Sequence, residues 1–478
     1  MSRKELWSGR FREAIDPLFR EYSSSPEDAK LLKYDVAGSI AHVRMLGTTG
    51  IIEKKEAAAI EEELRNIYIS NAEKPEQLLE GEEDIHLAVE RMLISKLGDA
   101  AARLHTARSR NDQIALDLRL YCRDSLLSIA RELEDLERVL LKNARKYSSC
   151  PIPSYTHLQR AQPVYLAHYL LAHFWRFERD LTNMRCVFDE INVSPLGAGA
   201  AAGTSHQIDV SMTARLLGFD SHFENSLDAV SDRDFILSLL FMLSRIALHL
   251  SSFAEELVLW STSEFSFAML PDSIATGSSI MPHKKNPDIA ELLRGQSAAI
   301  ISHLFGAMSI VRTLPMGYSR DLQLQKKMLF NSAEELMASL KAAKLLLSSV
   351  RFSAENMKKA ASDVLTYSVE LADELVRNGV PFRKAHEAVG KIVLESISSG
   401  RDFLSIVREK YPSLKIPSSV IEDIEMRSSY GSSSGKNIAL QLTEAHNRLE
   451  RLKKWRQRAE AKNRAVERLL RINGRDRA

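Results

Sequence analysis

Long tracts of this chain lack the residues that interrupt helices. No glycine occurs from Asp99 to Leu196. None occurs from Phe219 to Thr276, where Pro271 is the single proline, and Tyr318 to Asn378 contains neither residue. Glycine costs a helix interior about 1 kcal/mol and proline about 3, so such tracts favour long helices. The apolar spacing agrees: Ile236, Leu239, Leu240, Leu243, Ile246, Ala247 and Leu250 recur at steps of three and four. Similar periodicity covers 113–147, 161–190 (starting near Pro163), 288–312 and 324–350. These five segments predict an all-α protein built on an elongated bundle, with almost no strand.

At 478 residues the chain is too long for one compact core. Boundaries are expected near residues 107 and 356, giving three mostly helical domains, 1–107, 108–356 and 357–478. The 65 basic and 63 acidic side chains nearly cancel, which argues against a general affinity for nucleic acid or membrane. Residues 448–478 are locally basic, and Leu452, Trp455, Ala459, Val466 and Leu469 there fall near heptad spacing. A terminal helix packed by one face is expected; a nucleic-acid tail is the alternative, without a groove-reading motif to support it. Cys122, Cys150 and Cys186 have no disulfide or metal-ligand pattern, and the N-terminus lacks an apolar signal core, so a cytoplasmic protein is expected. The most apolar stretch, 235–260, carries Arg245, His249, Glu255 and Glu256, which suits a buried helix better than a membrane span.

Three punctuated segments hold the chemistry. Residues 277–288, GSSIMPHKKNPD, combine a mobile glycine-serine turn with Lys284 and Asn286, a cation and an amide donor suited to an anion whose charge grows during reaction. Residues 154–163 place Thr156 and His157 at what reads as the start of a helix, where a histidine can act as acid or base or be merely structural. Residues 104–113 pack Arg108, Arg110 and Asn111 together, and arginine forks bind carboxylates.

The segment GSSIMPHKKNPD resembles the signature of the fumarase–aspartase superfamily. HTARSRNDQ (105–113), SYTHLQRAQPV (154–164), NVSPLGAGAAAGT (192–204), NSLDAVSDRDF (225–235), GEEDIHLAVE (81–90) and LWSGRF (6–11) resemble its argininosuccinate lyase family, with weaker similarity over 371–390. Several motifs in one order are more specific than any alone. The resemblance implies a homotetramer in which four bundles form a twenty-helix core and each site draws on three subunits. It implies cleavage of argininosuccinate to L-arginine and fumarate, with no cofactor and no metal. Ser278 matches the proton-abstracting base, and Lys284 and Asn286 match the groups that steady the aci-carboxylate. His157 matches a histidine paired with a glutamate, here Glu291. Arg110 and Asn111 match carboxylate-binding positions, Thr156 matches a further site position, and Ser24 and Asp28 match contacts to the arginine portion. Tyr318, Gln323 and Lys326 match further site positions, with His86 in support.

The chain departs from the family at His283, usually glutamine, and at Ala107, usually glycine. Ser319, Arg320, Leu324 and Gln325 replace an asparagine, a lysine and an acidic pair. Ser25-Pro26 is also unusual, but it leaves the separation of Ser24 and Asp28 intact. The expectation is that the reaction is kept and that affinity differs. A sister fumarate-releasing lyase, such as adenylosuccinate lyase, and a silent crystallin-like homologue remain the alternatives.

Overall fold

The computed structural model describes Glu13 and residues 15–471; the LWSGRF motif and the last seven residues lie outside the described part. The N-terminal portion is built from α1 (Leu32–Thr48), α2 (Lys54–Asn71) and α3 (Ile85–Leu97). Five long helices follow: α4 (Arg110–Lys146), α5 (Leu166–Ile191), α6 (Asp234–Ser261), α7 (Asp288–Val311) and α8 (Leu324–Ser349). Helix α4, at 37 residues, runs roughly 55 Å. It starts at a capping box in which Ser109 and Asp112 satisfy each other's backbone N–H groups. Helix α4 packs against α5 and α8, and α6 packs against α5, α7 and α8, closing a bundle as the periodicity predicts.

One long hydrophobic cluster runs from α1 through the bundle to the terminal helix. A smaller cluster (Leu371, Leu375, Val389, Ile392, Phe403, Ile406, Val407) is built on α9 (Ser368–Arg377), α10 (Phe382–Ser399) and α11 (Phe403–Lys410). Helix α12 (Gly435–Leu470) returns to lie along α4 and α5. It buries Leu449, Leu452, Ala459, Val466 and Leu469, and Arg456 grips the buried Glu134 at 2.7 and 2.9 Å. Other basic groups on it pair with Glu178 and Asp220, so part of its charge is spent within the fold.

Helix α6 is the single described helix long and apolar enough to cross a membrane. It packs in the bundle, and its Arg245 and His249 both meet the buried Asp180, at 2.7 and 2.6 Å. Helix α7 is apolar too but buries few side chains: Leu292, Phe305 and Met308 stay exposed, as do Phe241 and Leu248 of α6 and Leu345 of α8. A single chain thus leaves apolar surface of the bundle uncovered.

The expected helix start near Pro163 is not observed. Residues 151–165 form an antiparallel hairpin of β1 (Pro151–Thr156) and β2 (Gln159–Tyr165), with Pro153 opposite Pro163, and α5 begins only at Leu166. Proline at the first helical turn and proline on a two-stranded ribbon look alike in sequence. Two further short strands, β3 (Thr276–Gly277) and β4 (Lys285–Asn286), pair antiparallel.

Candidate active site

The N-terminus of α4 organises one corner. The Asp112 carboxylate, besides capping α4, accepts from the Gly197 and Gly199 amides at 3.1 and 2.9 Å, pinning the 195–203 loop. At Gly197, with φ +109°, an added Cβ would meet Val210 at 2.5 Å, so that close approach requires glycine. Asn111 donates to the Ala200 carbonyl at 3.0 Å. Arg110 donates to Asp84 at 2.9 Å and lies 3.5 Å from Glu90. Ala107, just before, sits at φ +60°, a left-handed conformation that glycine adopts without strain.

Next to this corner, the segment after the short helix Pro17–Ser23 folds against the start of α8. Lys326 holds both oxygens of Asp28 at 2.8 Å, and Ser25 donates to the same carboxylate at 2.9 Å. Burial pushes the Asp28 carboxyl up, opposed by the Lys326 ammonium. Gln323 donates to the Ser23 and Ser24 carbonyls at 3.2 and 3.3 Å. Ser24 is half-buried and donates to Glu21. The Tyr318 hydroxyl is held above its ordinary value by burial, opposed by Lys326, Arg233 and Arg320. Ser24, Asp28, Tyr318, Gln323 and Lys326 are therefore brought together within one chain.

His86 is buried and faces Asp35 at 2.8 Å and Asp117 at 3.4 Å. Its ring lies in the interior, among α1, α3 and α4, away from open surface. Burial pushes the carboxyls of Asp35 and Asp117 up. The three residues offer ligand atoms within 4.8 Å of one another, with Gln113 also donating to Asp35.

Thr156 and His157 stand exposed at the tip of the β1–β2 hairpin. His157 and Leu158 form the turn with φ +53° and +58°, the double left-handed geometry that tight hairpins require and that Asn-Gly usually supplies. Holding two residues other than glycine there costs about 1–3 kcal/mol each, strain of the kind concentrated at functional sites. The imidazole makes no hydrogen bond among the described residues.

The 277–288 segment is a loop drawn in at its neck. Strands β3 and β4 pair Thr276 with Asn286 and Gly277 with Lys285, leaving a turn in which Ser278 is half-buried and residues 279–284 are exposed. Asp288 accepts from the Thr276 hydroxyl at 2.6 Å and its amide at 3.1 Å, and Asn286 donates to the same hydroxyl at 3.3 Å. The Ser278 oxygen accepts from the amides of Ile280 and Met281 at 3.3 and 3.0 Å. Two N–H groups aimed at a hydroxyl oxygen are what an alkoxide needs. Lys284 is exposed, and Glu291, one turn into α7, lies 3.9 Å from Arg294.

Within one chain, no hydrogen bond or ion pair among the described residues joins the Ser278 loop, the His157 turn and the Asp28–Lys326 corner. Glu291 meets Arg294 rather than His157. The sequence reading missed Glu83, Asp84 and Arg320. Glu83 and Asp84 lie just before His86 in GEEDIHLAVE, and Arg320 stands among the departures from the family pattern.

A family model described as lyase matches residues 9–302, and one described as the argininosuccinate lyase C-terminal region matches residues 365–429. The argininosuccinate lyase of Acetivibrio thermocellus is 41% identical over 437 residues, covering 91% of this chain and 95% of the relative. That of Symbiobacterium thermophilum is 45% identical over 408 residues, covering 85% and 88%. The chain belongs to the argininosuccinate lyase family. Among solved structures, an EDDS lyase in complex with formate superposes with a TM-score of 0.83 at 26% identity, covering 96% of this chain and 95% of that one. The argininosuccinate lyase C-terminal model spans the smaller apolar cluster.

Proposed function

We propose that this chain is an argininosuccinate lyase, splitting argininosuccinate reversibly into L-arginine and fumarate in the last step of arginine biosynthesis. The observation that carries the reading is similarity over 91% and 85% of the chain to relatives of that name, at 41% and 45% identity. In this account Ser278 takes the proton from the carbon next to a carboxylate. The electron pair moves into that carboxylate, giving an aci-carboxylate dianion that Lys284 and Asn286 steady. The carbon–nitrogen bond then breaks, the leaving nitrogen takes up a proton, and fumarate remains. His157, paired with Glu291 of another copy, orients the leaving nitrogen directly or through water. Arg110, Asn111 and Thr156 bind carboxylate, while Ser24 and Asp28, with Tyr318, Gln323 and Lys326, bind the arginine portion. His86 acts in support, from the interior. These steps ask for no cofactor and no metal.

Among the described residues no hydrogen bond or ion pair joins the Ser278 loop to the His157 turn within one chain, and apolar side chains of α6, α7 and α8 lie uncovered. Both features support a homotetramer with sites shared among three subunits. Three free cysteines fit a cytoplasmic enzyme. The experiment is direct: purified protein is given argininosuccinate and fumarate absorbance is followed. Fumarate release supports the reading; release only from adenylosuccinate would favour a sister lyase, and none from either a silent homologue.

A further inference from the structure

One guanidinium links three parts of the arginine-side corner. Arg320 donates to the Ser23 carbonyl at 2.7 Å and lies 2.7 Å from a Glu83 carboxylate oxygen. The Glu83 backbone carbonyl in turn accepts from the Ser25 amide at 3.1 Å, so one residue grips the 23–25 strap from two directions. Asp84, next in the chain, caps α3 at Leu87 and receives Arg110 at 2.9 Å. His86, two residues on, is anchored between Asp35 and Asp117 in the interior. The Glu83–His86 segment is thus a fixed post to which the Arg110 side and the strap are tied, and Arg320 is the removable tie.

We propose that Arg320 is a positioning residue that latches the Ser23–Asp28 strap to Glu83 and thereby sets substrate affinity at the arginine end. This rests on the lyase reading above. The Ser23 and Ser24 carbonyls end a seven-residue helix and lack further helical partners, so side-chain donors must supply them. Gln323 supplies one neutral donor group and Arg320 a charged one. With its side chain 48% exposed, Arg320 contributes little to global stability as an ion pair. Its effect falls on local opening of the strap, which places Ser24 and Asp28. Both contacts come from one nitrogen, Nη2, so lysine keeps the charge and the donors but lacks the planar group that fixes their direction.

The test uses the full assembled protein with Arg320→Ala, Arg320→Lys and Glu83→Gln. For Arg320→Ala, KM for argininosuccinate rises about tenfold while kcat stays within about twofold, a pattern of lost uniform binding. Hydrogen exchange of the residue 23–31 amides, measured without substrate, speeds up by about tenfold. Arg320→Lys recovers part of both effects, and Glu83→Gln shifts both in the same direction by less. Unchanged KM and unchanged exchange in Arg320→Ala would overturn the latch, as would a large fall in kcat with exchange unaltered, which would make Arg320 a catalytic group. If the wild-type protein releases no fumarate, the lyase reading fails, and the substrate-free exchange still decides the latch.

Discussion

Lys326 holds both carboxylate oxygens of Asp28 at 2.8 Å, deep in the molecule and across nearly three hundred residues of chain. The two side chains are almost wholly shielded from water, 4% and 0% exposed. Each charge is tolerable there only because the other is present. The pair therefore fixes where the N-terminal strap meets α8.

Removing one partner should cost far more than removing both. Lys326→Met leaves a buried, unpaired carboxylate and is expected to destabilise by about 3–5 kcal/mol, whereas Asp28→Leu with Lys326→Met recovers most of that loss. Denaturant unfolding of the three proteins checks the stability; the double variant is expected to stay inactive because Asp28 and Lys326 are proposed to serve the arginine portion.

Ser278→Ala is expected to leave assembly and melting temperature unchanged, since the loop is exposed and its neck is held by Thr276, Asn286 and Asp288. Turnover should fall by about 10²–10⁴-fold, the usual contribution of a positioned base. Near-normal kcat in that variant would remove Ser278 from the role.

Glu137 in α4 is wholly buried, and neither carboxylate oxygen has a hydrogen-bond partner. Burial first, then Glu178, Glu134 and Asp180, hold its carboxyl well above the ordinary 4.5. The folded state therefore keeps a proton that the unfolded state loses above pH 4.5, and this group's contribution to stability declines as pH rises from there toward the raised folded value. The slope is about 1.4 kcal/mol per pH unit. Glu137→Gln should remove it, so its stability relative to wild type should grow as pH rises above about 5 toward the raised folded value; a pH-independent difference in unfolding midpoint would contradict this.

The bundle was legible because long helices are written in what a chain omits. The absence of glycine and proline from 318–378 and the three–four spacing along 235–260 located α8 and α6 closely. The hairpin at 151–165 was not legible: its turn is His157-Leu158, with none of the Asn-Gly chemistry that announces a tight turn, and Pro163 mimics a helix start. The candidate site residues were proposed from motif resemblance. Their local partners were not. The Glu83–Arg320 and Asp28–Lys326 pairs join residues more than two hundred positions apart, and only tertiary packing brings them together.

In the proposed assembly one working site draws on several copies of the chain, with Ser278 and His157 supplied by different ones. Ser278→Ala and His157→Asn proteins, each inactive alone, should be mixed, dissociated and reassembled, and fumarate release measured. Recovery of a fraction of wild-type activity, with both variants present in the same assemblies, is the predicted result. Mixed assemblies that stay as inactive as their parents at every ratio would contradict it.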